Sequence, residues 1–267
     1  MMVSVATPYR RFFHLSDERR NPCHIGGHCL IKGPDGWHLF GEMHKGSDGS
    51  GLGAKEYAHA RCDTLTGEWE SLPTVFRAEE GAGEVYLGSP YIVFEKGLYS
   101  LFYGVVTPSG RSEIHLAVSE DLYRWQRSQH NPVLEEEKGA GDPMVTKIGE
   151  AWVMYYVADG ILKSAESDDL THWHNPREVL TGVGEPCESP CVFEDKGQYY
   201  LLFGFGGHYN QTLVLKSEDP FCFSLENTVG SLPAHAAKIA YEQKGTMPFT
   251  THCGEKQGGV YLAPLLI

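Results

Sequence analysis

Positive charge is scarce in this sequence: 22 Lys and Arg residues stand against 35 Asp and Glu, a formal net charge of −13 over 267 residues. Such an acidic surface repels phosphate backbones and anionic lipid, so neither nucleic acid nor a membrane is an expected partner. Long apolar runs are missing as well. No stretch approaches the roughly 18 apolar residues of a membrane span. The opening MMVSVATPYRRFFHL has no long apolar run before Arg10 and Arg11, and the expected location is cytoplasmic. Cysteine is sparse and odd in number: Cys23, Cys29, Cys62, Cys187, Cys191, Cys222 and Cys253 are scattered along the chain. That fits reduced thiols better than a disulfide framework. No long helical periodicity separates the apolar segments, which argues against alternating strands and helices.

What is present is a repeat. Ser89-Pro90-Tyr91-Ile92-Val93-Phe94, with the turn Lys96-Gly97 and the strand Tyr99-Ser100-Leu101-Phe102-Tyr103, aligns with Ser189-Pro190-Cys191-Val192-Phe193, Lys196-Gly197 and Tyr199-Tyr200-Leu201-Leu202-Phe203. Asp142-Pro143-Met144-Val145, Gly149 and Trp152-Val153-Met154-Tyr155-Tyr156 form a third copy. Each copy is an apolar strand, a Gly-containing turn and an aromatic-rich strand, the chemistry of a β-hairpin. Pro90 and Pro143 are 53 positions apart and Pro143 and Pro190 are 47 apart, about the length of a four-stranded propeller blade. Downstream, Ser119-Glu120-Asp121-Leu122 before Trp125 matches Ser167-Asp168-Asp169-Leu170 before Trp173, and Cys62-Asp63-Thr64-Leu65 before Trp69 is a looser copy. These read as outer hairpins whose Trp69, Trp125 and Trp173 pack between blades, with Trp37 and Trp152 in the core. Hairpins from His28 to Phe40 and from His235 to Cys253 bring the count to five.

The expected fold is therefore all-β: a five-bladed β-propeller of four-stranded antiparallel blades around a central pocket. One domain spans residues 1–267, with blades near 24–75, 84–134, 140–180, 186–228 and 232–267, and the N-terminal segment packs on or closes the ring. With 41% hydrophobic residues the chain can bury such a core.

These motifs resemble the furanosidase propellers, glycoside hydrolase families 32, 43, 62 and 68. Gly141-Asp142-Pro143 is similar to the clan's blade-three Asp-Pro motif and Cys187-Glu188-Ser189-Pro190 to its blade-four Glu motif. Trp37-His38-Leu39-Phe40 is similar to a blade-one strand, and Gly259-Val260-Tyr261-Leu262 to the closing strand. The resemblance implies a glycoside hydrolase or transglycosidase acting on a small furanoside or related carbohydrate, with Glu188 as general acid and Asp142 orienting the sugar and tuning that acid. It also implies a blade-one Asp, yet the chain offers His24-Ile25-Gly26-Gly27-His28 there, with no carboxylate.

The first strand of each blade lines the channel of a propeller, so His28, Ser89, Asp142, Glu188 and His235 are expected to face one another. Glycosidic cleavage needs a proton donor and a second carboxylate that attacks the anomeric carbon or activates water. An imidazole can serve as base near neutral pH, which makes His28 a catalytic candidate and His24 a neighbouring one. Asp17, Glu18, Glu42 and Glu84 are candidates for a displaced carboxylate, with Glu42 best placed at the end of the blade-one strand. Substrate contacts are expected from His24, Glu42, Ser89, His208 and His235, with Tyr209 and Asn210 beside His208. No cofactor is required; the resemblance places a channel calcium near His235, reached through water because calcium prefers oxygen ligands. A zinc or iron ion among His24, His28, His235 and Cys23 or Cys187 is a further reading, without tight ligand spacing behind it. Two other functions stay open: a propeller that only binds carbohydrate, and a lyase, isomerase or cyclase using the pocket histidines.

Overall fold

The computed structural model describes residues 2–15, 23–45, 53–243, 245–254 and 258–267. Asp17, Glu18 and most of the Gly46 to Gly53 segment lie outside the described residues, as does the side chain of Cys23. The chain forms five antiparallel sheets arranged as a five-bladed β-propeller, and among the described residues the helical turns are the short Glu80–Ala82 and Leu225–Asn227.

Blade one runs through Cys23–Gly33, Gly36–Lys45, Tyr57–Cys62 and Glu70–Leu72 in sequence order. Blade three uses Ala140–Ile148, Ala151–Ala158, Ile161–Ser167 and His174–Glu178, and blade four Cys187–Asp195, Gln198–Phe205, Thr212–Ser217 and Thr228–Leu232. The fourth blade thus extends past residue 228, where the sequence suggested its end. In blade two the first strand is interrupted at Gly88-Ser89-Pro90, because proline cannot donate to the ladder; Tyr86–Leu87 and Tyr91–Glu95 both pair with Leu98–Val106. Blade five combines Lys238–Ala240, Phe249–Gly254 and Gly259–Leu266 with the N-terminal strands Ser4–Val5 and Arg10–Phe13, which both pair with Gly259–Leu266. The two ends of the chain therefore close the ring by backbone hydrogen bonds, which satisfy a sheet edge that would otherwise be open.

First strands touch in a complete circle. Cys23–Gly33 meets Tyr91–Glu95, which meets Ala140–Ile148, then Cys187–Asp195, then Lys238–Ala240, which returns to Cys23–Gly33. Residues opening these strands thus share one axis.

Repeated turns hold the blade exteriors. Ser119 Oγ accepts from the amides of Asp121 and Leu122, and Asp121 Oδ1 accepts from those of Tyr123 and Arg124. Ser167 and Asp169 repeat the arrangement, and Leu122 and Leu170 both sit at φ 67°. Two short polar side chains satisfying four amides explain the recurring Ser-x-Asp-Leu sequence. The tryptophans behind these turns pack on the preceding blade: Trp125 edge-on to Phe40 at 5.8 Å, Trp173 edge-on to Phe102 at 5.6 Å, and Trp69 against Phe12 at 5.1 Å. Tyr57, Tyr103, Tyr155, Phe40, Phe102 and Phe203 fill the interior between sheets. None of the six cysteines whose side chains are described is bridged. Among the described residues, no helix is long and apolar enough to cross a membrane.

Candidate functional site

The first strands of blades one, three and four break register at the same place. The ladder skips Gly26 and Gly27 in blade one, Asp142 and Pro143 in blade three, and Ser189 and Pro190 in blade four. Gly26, Asp142 and Ser189 are therefore equivalent, and Glu188 opens the equivalent stretch one residue earlier. Asp142 and Ser189 both lie at φ 52°, a left-handed conformation that costs a non-glycine residue about 1–3 kcal/mol and recurs at functional sites. The bulge thus turns these residues out of the ladder toward the axis.

Asp142 is held by its neighbours on both sides. Oδ1 accepts from Ser89 Oγ of blade two at 2.6 Å and Oδ2 from the Ser189 amide of blade four at 2.9 Å. Glu188 is half-buried, and its side chain folds over Gly204 on the paired strand, where a Cβ would lie 2.8 Å from its Oε1. Burial, and then the charge of Asp142, raise the Glu188 carboxyl above its ordinary value. His235 approaches Glu188 Oε1 with Nδ1 at 3.7 Å and stacks face to face on Tyr209 at 3.9 Å between centroids. Tyr209, from the loop between the second and third strands of blade four rather than from one that follows the blade, thus backs the His235 ring beside Glu188, whereas its neighbour His208 is turned outward, with Nε2 3.9 Å from Glu185 and more than half its side chain exposed. Asn210 is exposed.

His28 differs from the sequence expectation. It is fully buried, its Nε2 lies 2.8 Å from Thr251 Oγ1, and burial, reinforced by Lys238, His252 and His235, pushes its imidazole down to about 3. The two-glycine bulge accounts for this: Gly26 occupies the place of Asp142, so His28 falls two positions further, level with Met144 and Cys191 in the wall. Such an imidazole is packing, held neutral behind the pocket surface. His24 pairs with His44 across the strands and stacks on it at 4.7 Å. Glu84 is also removed from the pocket. Buried at the edge of blade two, it accepts from Arg127 through both oxygens at 2.8 and 2.6 Å and from Tyr103 at 2.8 Å. Glu42 remains at the site. Its Oε2 pairs with His44 Nε2 at 2.9 Å, and its carboxylate lies across the backbone of Gly26 and Gly27.

Residues 27–190 match the model of the glycosyl hydrolases family 32 N-terminal domain. The chain belongs to that family. A search of curated proteins returned no match. Among solved structures, this family 32 chain is similar to the GH43_1 enzyme from Xanthomonas citri complexed with xylose, at 15% identity and TM-score 0.74, covering 96% of this chain and 89% of that one. A thermostable family-43 glycoside hydrolase gives 14% identity and TM-score 0.73 over 91% and 89% of the two chains. The α-L-arabinanase of Cellvibrio cellulosa complexed with arabinohexaose gives 16% and 0.67 over 90% of each. These likenesses show that the three chains share the propeller fold.

Two features of this family 32 chain were not read from the sequence. Lys238 is buried in the first strand of blade five, with Nζ 3.2 Å from the Pro190 carbonyl and 5.9 Å from the centre of the Tyr91 ring. Its charge bears on His28, Cys29, Cys191 and Cys253, so the channel carries a built-in ammonium. No sequence signal distinguished Lys238 from a surface lysine. The second is the glycine seat beneath Glu42, which depends on strand register and appears only once the hairpin is folded.

Proposed function

We propose that the protein is a glycoside hydrolase acting on a small furanoside or related glycoside, with Glu188 as general acid and Asp142 as the residue that orients sugar hydroxyls and tunes that acid. The observation that supports the reading best is the pairing of Asp142 and Glu188. One carboxylate is fixed by two donors from neighbouring blades, and the other is raised above its ordinary value by burial and then by that first charge. Two carboxylates in unlike environments divide into a proton donor and an ionised partner. Ser89 contributes by holding Asp142. His235, stacked on Tyr209, supplies a flat surface beside the acid on which a sugar ring can rest. His24, stacked on the His44 ring that pairs with Glu42, borders the site as a substrate contact.

The channel residues fit a calcium ion poorly, because the Lys238 ammonium already places a positive charge beside His28, close to where His235 also acts. Among the described residues, no cluster of three or more His, Cys, Asp or Glu side chains could hold a metal. No step is derived through an ion.

The test uses two leaving groups. Glu188→Gln should lower kcat/KM about 10²–10⁴-fold on alkyl arabinofuranosides, xylosides or fructosides, where the departing oxygen needs a proton. The loss should be much smaller on 4-nitrophenyl glycosides, whose leaving group departs as an anion. Equal activity of Glu188→Gln and the parent on alkyl glycosides would remove Glu188 from the acid role. Absence of any turnover by the parent across the panel would sink the hydrolase reading and favour a propeller that only binds sugar.

A further inference from the structure

Blade four is gripped from both sides at the two residues that follow Glu188. The ladder skips Ser189 and Pro190, and partners from the neighbouring blades hold them instead. The Ser189 amide donates to Asp142 Oδ2 of blade three at 2.9 Å, and the Pro190 carbonyl accepts from Lys238 Nζ of blade five at 3.2 Å. Lys238 opens the first strand of blade five, Lys238–Ala240, and is only 6% exposed. Its ammonium also lies 5.9 Å from the centre of the Tyr91 ring, within reach of a cation–π contact. Blades two and five are not neighbours in the ring, so Lys238 and Tyr91 meet across the channel.

The layer around that ammonium is a poor cage for a metal. Past the skipped residues the first strands resume pairing at His28, Tyr91, Met144 and Cys191, one step along the channel from Asp142 and Glu188. This layer offers an imidazole, a phenol, a thioether and a thiol, whereas calcium takes about six to eight oxygen ligands. Zinc binds ionised thiols, yet burial raises the Cys191 thiol and pushes those of Cys29 and Cys253 up to about 12. A second cation would also meet the charge of Lys238, which already opposes protonation of His28.

We propose that Lys238 is the resident cation of the channel, in the region where the resemblance places calcium, and a positioning residue for Glu188. A tethered ammonium is present at every metal concentration, so the blade-four bulge is held without an ion. Loss of the ammonium frees the Pro190 carbonyl. Ser189, in the left-handed region at φ 52°, is then held by Asp142 alone, and the adjoining Glu188 loses its fixed direction. The cation role stands on this geometry; the consequence for catalysis rests on the hydrolase reading.

The test combines thermal unfolding, hydrogen exchange and kinetics on the full chain. After EDTA treatment, about 1 mM calcium chloride should raise the parent's midpoint no more than the same concentration of magnesium chloride, whereas a calcium site would add several degrees by mass action. Lys238→Met keeps the stem and loses both charge and donor. In this variant the amides of residues 187–192 should exchange at least about tenfold faster than in the parent, with those of Ser112–Ser119 in blade two unchanged. Lys238→Arg, which keeps charge and donor, should recover protection. Lys238→Gln serves if Lys238→Met does not fold, and the same faster exchange is expected of it. Lys238→Met should also lower kcat/KM about tenfold or more on alkyl xylosides or arabinofuranosides and far less on 4-nitrophenyl glycosides, because its effect runs through the acid. A calcium-specific rise in the parent's midpoint, unchanged exchange over residues 187–192, or equal losses on the two leaving groups would each overturn the proposal. A parent that turns over no substrate would sink the hydrolase reading, while the calcium and exchange results would still decide the cation role.

Discussion

The Ser89 hydroxyl of blade two donates to Asp142 Oδ1 of blade three at 2.6 Å, a bond between adjacent blades. Asp142 already sits at a positive φ of 52°, so its carboxylate direction depends on such external donors. A hydrogen bond to a charged group is worth about 1.5–3 kcal/mol, and Ser89→Ala leaves Asp142 with the Ser189 amide alone. The expected result is a roughly 10–100-fold fall in kcat/KM. Steady-state kinetics on an aryl xyloside or arabinofuranoside would check it, and Ser89→Thr, which keeps the hydroxyl, should recover part of the loss. Full activity of Ser89→Ala would mean that the bond is incidental to the site.

In the proposed reaction Asp142 also sets the pH range of the acid. Burial comes first in raising the Glu188 carboxyl, and the Asp142 charge follows. A negative neighbour opposes a second negative charge, so removing it lets Glu188 ionise at lower pH. As the proposed general acid, Glu188 would work only while protonated, and activity would fall as pH rises through its pKa. Asp142→Asn should therefore move the alkaline limb of kcat/KM to lower pH, besides weakening substrate binding. A limb that stayed put or moved upward would uncouple the two residues.

The blades were legible because their chemistry repeats: the Pro-led strand, the glycine turn, the aromatic strand and the Ser-x-Asp-Leu turn are local patterns that survive folding unchanged. That Asp142 and Glu188 come close together was legible for the same reason, since both lie within those repeats. The rest of the site depends on register. That Gly26 matches Asp142 follows from a two-residue bulge that no composition reveals, and it sends His28 into the wall and brings Glu42 forward from the next strand. Glu84 stayed among the candidate carboxylates in sequence, behind the better-placed Glu42, since only a distant residue, Arg127, fixes its role.

The buried histidines should make the fold sensitive to acid. His28 is pushed down to about 3 and His59 to about 4, both chiefly by burial, against about 6.5 for an exposed imidazole. Below about pH 6.5 the unfolded chain binds protons that the folded chain refuses, so stability declines as pH falls toward these lowered values. Each such group contributes a slope of up to about 1.4 kcal/mol per pH unit. Urea unfolding between pH 7 and 4.5 should show the decline, and His28→Gln should flatten it by about one proton. Identical slopes in parent and variant would mean that His28 is protonated in the native state.

Glu84 and Arg127 bear on stability alone. The Glu84 side chain is fully buried, and it accepts from Arg127 at two atoms, from Tyr103 and from the Glu79 amide. Arg127 also donates to the Arg77 carbonyl and lies over the Phe76 ring at 4.6 Å, so the guanidinium stays in place if its partner is removed. Removing Glu84 leaves the guanidinium only the exposed Glu79 carboxylate at 2.9 Å, so the cost falls short of the ~3–5 kcal/mol of a fully uncompensated buried charge but remains substantial. Glu84→Ala should therefore lower the thermal midpoint markedly, whereas the pH profile of the folded fraction should match the parent, because the pair lies apart from Asp142 and Glu188. Glu84→Gln keeps part of the hydrogen bonding and should fall between the two. A change in the pH limbs of either variant, with stability unaltered, would return Glu84 to the list of reacting carboxylates.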